Sequence, residues 1–156
     1  MATIKLPKMT EKEIKTALSN ENLCRIAFIE DNFPYICPFQ YVYVNDQLFF
    51  HFTDYGKKMN IINKNKNVCV SIERFAPDLS SYYFISIQGE LVQVKNEKLV
   101  KEVGEKIVKN AKGQFSVNFL AAHGFKTEEG WDSLIKNNLL IFRLDESGDR
   151  IGLKSY

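Results

Sequence analysis

Lys57 and Lys58 follow Gly56 directly, at the point where the strand-forming run Phe49-Phe50-His51-Phe52-Thr53 gives way to a helical pattern. A cation in the first turn of a helix meets unpaired N–H groups and the positive end of the peptide dipoles. That placement is disfavoured by a few tenths to about 1 kcal/mol unless an anion neutralises it. A phosphate group would do so. Lys57 and Lys58 supply charge-assisted donors, Thr53 a hydroxyl, and the helix start its free N–H groups. The plainer reading is two solvated lysines on a loop, since no glycine-rich phosphate loop is present. The flanking strands must decide between the two.

Other reactive side chains narrow the chemistry. His51 and His123 lie far apart and no CxxC pair exists, which argues against a structural zinc site. Cys24, Cys37 and Cys69 are odd in number, widely spaced and set among apolar residues, as small buried hydrophobes of a reducing compartment are. No serine or cysteine triad is evident. With 156 residues, 45% of them hydrophobic, the chain has the material for one domain over residues 1–156 with a single core. A net charge of +2 is too mild for a general nucleic-acid surface, so anion recognition is expected to be local and no nucleic-acid partner is expected. The absence of a signal-like or membrane-spanning apolar run gives the expectation of a cytoplasmic protein with no membrane partner.

The elements that must position these residues follow from periodicity. Thr10 with Glu13 forms a capping-box pattern ahead of a short amphipathic helix over 10–21. Strands are predicted over 23–30, 34–44, 47–53, 68–74 and 82–94, with turns at Asp31-Asn32 and Asn45-Asp46 and a bulge or close approach at Gly89. Residues 57–64 read as one or two helical turns and 96–111 as the clearest helix, with an apolar face suited to covering a barrel. Residues 112–137 read as irregular with a short helix near 131–136. Residues 138–145 and 150–155 read as a closing hairpin around Ser147-Gly148. Six or seven strands with short connections favour a mainly β (α+β) antiparallel barrel with peripheral helices.

A two-residue turn at Asn45-Asp46 sets the register of the central hairpin. Val44 faces Gln47, Val42 faces Phe49, Gln40 faces His51 and Pro38 faces Thr53, all on one surface. Tyr43, Tyr41 and Phe39 meet Leu48, Phe50 and Phe52 on the other, which suits the core. The first surface then offers an apolar slot with Gln40, His51 and Thr53 beside the lysine turn, the requirement of a flat phosphorylated cofactor. The plainer alternative is an ordinary cross-strand Gln40–His51 pair facing water.

The segment from Pro34 to Ile72 resembles the FMN-binding split barrels of the pyridoxamine 5'-phosphate oxidase-like superfamily. In these a proline-containing strand precedes a hairpin, an aromatic-His-Ser/Thr strand end and a basic phosphate turn. The likeness extends more weakly over the first helix, the Gly89 strand and the terminal Gly152-Leu153-Lys154-Ser155-Tyr156. It implies an antiparallel split β-barrel, FMN as cofactor and a homodimer with the cofactor at the subunit interface. It also implies that Thr53, Lys57 and Lys58 hold the phosphate, that Pro38, Phe39, Gln40 and Tyr41 run along the ring through backbone groups, and that His51 and Phe52 flank it. The activity implied is flavin-dependent oxidoreduction of an unidentified small molecule or a nicotinamide electron donor. A substrate-phosphate arginine set is missing, so pyridoxamine phosphate itself is not expected. A deazaflavin- or haem-binding split barrel and a non-catalytic flavin module are the alternatives. His51 suits packing better than protonation of a substrate, and the same holds for Trp131 and His123.

Overall fold

The computed structural model describes residues 5–116, 118–122, 127–131, 133 and 140–156. Six antiparallel strands close into one barrel in the order β1-β2-β3-β6-β5-β4, with β4 returning to β1. They are β1 (Leu23–Glu30), β2 (Phe33–Val44), β3 (Gln47–Phe52), β4 (Asn67–Phe75), β5 (Tyr82–Gln93) and β6 (Leu140–Lys154). Closure pairs most of the sheet edges that a small open sheet would expose. Alternation sends Ile26, Phe28, Phe39, Tyr41, Phe50, Val70, Ile72, Ile85 and Ile87 inward into one core, as period-2 patterning requires.

Helix α1 (Glu11–Asn20) starts at Thr10 with the expected capping box: Glu13 N–H donates to the Thr10 hydroxyl, and Thr10 N–H donates to the Glu13 carboxylate. Its Ile14, Ala17 and Leu18 join the barrel core, and the Tyr41 hydroxyl donates to Leu18 O at 3.0 Å. Helix α2 (Lys57–Lys64) places Ile61 and Ile62 in the same core. Helix α3 (Glu97–Gln114), capped by Asn96, lies on the outside of β2, β3 and β6. There Val103 and Ile107 close a second cluster over Val42, Val44, Phe49 and Ile141.

The end of the chain differs from the expected hairpin. Residues 140–154 form one strand that stays on β5 throughout, from Phe142 opposite Gln93 to Lys154 opposite Tyr83. Ser147 and Gly148 do not reverse the chain. They belong to extra residues of β6 set opposite Gln88, where the register shifts between Ile87 and Gly89. Asp149 N–H donates to the Gln88 side chain at 3.3 Å, so a side-chain amide replaces part of the interrupted ladder. Gly89 itself is a close-approach site: a Cβ there would lie 2.4 Å from Asp145 O. In the stretch expected to be irregular, α3 runs on to Gln114 and short α4 (Asn118–Ala122) and a 3-10 turn (Thr127–Glu129) are present. The short helix expected near 131–136 falls largely outside the described residues, as does His123. Among the described residues no helix is long and apolar enough to cross a membrane.

Candidate functional site

Asn45 and Asp46 both have positive φ, 50° and 61°, which makes the β2–β3 turn the primed type whose twist suits a hairpin. The ladder follows as counted: Val44 with Gln47, Tyr43 with Leu48, Val42 with Phe49 and Tyr41 with Phe50. It stops there. The further pairs expected between Gln40 and His51 and between Pro38 and Thr53 do not form. Pro38 has no N–H to give a ladder, and from Phe33 to Gln40 β2 stays paired with β1 instead. β3 meanwhile continues against β6, with His51 opposite Ile141 and Phe52 opposite Leu140. Among the described residues, the β3-facing edge of β2 from Phe33 to Gln40 therefore has no strand partner. A split opens between the two strands, floored by Phe39 and Phe52, whose ring centroids are 4.7 Å apart.

The start of α2 stands over this split. Lys58 Nζ lies 4.9 Å from the centroid of the Phe39 ring, and Lys57 Nζ lies 4.6 Å from that of Tyr35, distances at which a cation is attracted to the ring face. Gly56, the N-cap, has φ 93° and ψ 178°, a conformation that only glycine adopts readily. No side chain caps the helix and its first turn holds no acid, so the N–H groups of the first turn are not answered by this helix's own residues. The Thr53 hydroxyl donates to Tyr55 O at 3.1 Å and braces the loop that delivers Gly56. Lys57 Nζ also lies 2.6 Å from Glu30 Oε2, and that carboxylate raises the lysine's pKa above its ordinary value. The Cys37 thiol is pushed up by burial, against the opposing Lys58 charge nearby.

The remaining expected site residues divide. Pro38 is exposed on the outer surface beside the split, and Phe39 and Tyr41 point into the core. The Gln40 amide donates to Ile107 O of α3 at 3.2 Å, so its side chain serves the helix. Val42 and Phe49 are roofed by α3. The open apolar slot expected along that surface is thus confined to its Pro38 end, because α3 fills the rest. His51 is half-buried on β3. Trp131 packs against Val108 and Leu120. Sequence reasoning missed Glu30 and Tyr35. Both reach the lysines only through the β1–β2 hairpin, and nothing local in sequence signals that.

Which groups cluster at such a split is better judged beside other proteins of this shape. An FAD-binding protein from Mesorhizobium loti superposes with a TM-score of 0.65 at 17% identity, covering 98% of this chain and 100% of its own. An FAD-binding protein from Mycobacterium smegmatis gives 0.62 at 15% identity, covering 95% and 97%. The heme storage protein from Vibrio cholerae gives 0.63 at 13% identity, covering 92% and 94%. At these identities the likeness is one of fold. No curated protein matches the chain in sequence. The sequence model of the family described as pyridoxamine 5'-phosphate oxidase matches residues 10–131, which include the split, the hairpin and the lysine turn, and the chain belongs to that family.

Proposed function

We propose that the chain binds a flavin, specifically FMN, and uses it as an oxidoreductase on a small molecule. The observation that carries this reading is the uncapped start of α2, bearing Lys57 and Lys58, beside an unpartnered strand edge. A helix start with two ammonium groups suits one terminal phosphate. The free edge of β2 from Pro38 to Gln40 offers backbone donors and acceptors at the spacing of a strand, which suits the polar rim of a flat ring system. Phe52 and His51 flank the position from β3. FAD, the cofactor in the names of two of the proteins of similar fold, carries the same ring and a phosphate at the same place. Its extra nucleotide would need a further site.

When bound, a flavin supplies hydride or electron exchange, so the protein needs little acid–base machinery. Lys57, Lys58 and the first-turn N–H groups hold and orient the phosphate. Backbone groups on the free edge from Pro38 to Gln40 fix the ring against the split, and Phe39 and Phe52 exclude water beneath it. The substrate reads as a small aromatic or nicotinamide-like molecule reaching the open face.

The same reading includes a homodimer. Leu23, Ile29 and Ile36 are 49–57% exposed on the outer surface of the paired strands β1 and β2, apolar area that a second copy would cover. The test is the visible spectrum and sedimentation of purified protein. A two-banded flavin spectrum, bleached by a reduced nicotinamide, in a dimer that Ile36→Asp splits with loss of flavin, supports the proposal. A Soret band, or no chromophore and no uptake of added FMN, overturns it.

A further inference from the structure

We infer that a groove at the other end of β1 is a binding site for a small carboxylate with an apolar body. The groove has a volume of about 480 Å³ and runs between α1 and the ends of β4, β5 and β6. That volume falls within the roughly 300–1,000 Å³ of small-molecule sites. Met9, Ala17 and the ring of Tyr83 give it an apolar floor, and Lys12, Arg74 and Lys154 stand around it. Glu30, the partner of Lys57, ends β1, whereas Arg74 reaches Glu21, which precedes β1. Eight strand residues, about 25 Å at the usual rise, separate the two ends. The inference does not rest on the flavin reading.

The charges specify the ligand. Lys154 contacts Glu13, and Glu21 receives both Arg74 Nη1 at 3.2 Å and the Tyr83 hydroxyl at 2.6 Å. Among the described residues the Lys12 ammonium has no acid partner. Three cations thus face two carboxylates, a surplus that suits one negative charge and not the two of a phosphate monoester. Glu21 occupies only one arm of the Arg74 fork, and 69% of that side chain is exposed, so its outer donors can meet a carboxylate together with Lys12. An apolar body of one ring would lie on Met9 and Ala17, with the polar side chains of Thr16 and Asn20 at its border.

The experiment follows methionine methyl resonances of the full chain by NMR during titration with sodium benzoate, with benzamide as the uncharged isostere. Met9 lines the groove and Met59 lies in α2, so the two methyls report on opposite ends. The expected result is a saturable shift of Met9 with Met59 unmoved, at least about tenfold weaker for benzamide and for the double variant Lys12→Glu with Arg74→Gln. Lys12→Gln, at an exposed helix position, carries the same comparison should the double variant fail to fold, and there the weakening is roughly threefold. A shift of Met59 alone, no saturation, or equal binding of benzamide or of the variants would overturn the inference.

Discussion

Lys57 Nζ and Glu30 Oε2 lie 2.6 Å apart, so the first cation of α2 is bridged to the last residue of β1. The carboxylate stands where an anionic ligand of Lys57 would have to compete with it. Replacing Glu30 with Gln should therefore tighten FMN binding by roughly threefold to fivefold at low salt, the modest scale of an exposed ion pair. The gain should vanish at high salt, where such pairs are screened. Fluorescence titration at two ionic strengths measures it, and an unchanged or weaker affinity at low salt would count against a phosphate at Lys57.

Glu13 links α1 to the last strand. Its carboxyl is held down from the ordinary 4.5 to about 2, first by Lys154 and then by the Thr10 N–H. A depressed carboxyl pKa stabilises the folded chain fully above 4.5 and loses that effect as pH falls toward about 2. Wild type should thus lose more thermal stability than Glu13→Gln between about pH 6 and pH 3, which calorimetry at the two pH values reads directly. Equal losses would show that the carboxyl is not depressed.

The same helix start can be tested without changing charge. Thr10→Ala removes the acceptor for Glu13 N–H and should lower stability by about 1 kcal/mol in urea denaturation. FMN affinity should stay within error, because the cap lies across the barrel core from α2.

Two glycines predict opposite signs. A Cβ on Gly89 would lie 2.4 Å from the backbone oxygen of Asp145, so Gly89→Ala forces β5 and β6 apart and should cost about 2 kcal/mol or more. Gly113 lies in α3 with open space around it, so Gly113→Ala should stabilise by up to about 1 kcal/mol through helix propensity. Chemical denaturation of both variants checks the pair.

These contrasts mark what the sequence could and could not convey. Local signals were strong where one turn or cap fixes a register. Thr10 with Glu13 and the Asn45-Asp46 turn gave α1 and four rungs of the β2–β3 ladder, and the helix over 57–64 starts and stops where its residues suggest. The six-stranded antiparallel closure was likewise within reach of strand counting. What failed depends on distant neighbours. Ser147-Gly148 has the composition of a turn, but the length of β5 opposite lets β6 run straight through it as a bulge. Val42 and Phe49 looked like part of a slot because nothing in the hairpin reveals that α3 packs on them. The parting of the strands at Pro38 was hinted at by the proline alone, and Glu30 and Tyr35 enter the site only through the β1–β2 pairing.

The most direct measurement compares FMN with riboflavin, which lacks the phosphate, on wild type and on Lys57→Ala with Lys58→Ala. FMN should bind wild type at least about 100-fold more tightly than riboflavin, and the double variant should bring the two ligands within about threefold. A matched change of Lys64 and Lys66, both exposed at the far end of α2, should leave the preference intact. A double variant that folds and still prefers FMN as strongly as wild type would contradict the assignment of the phosphate to the start of α2.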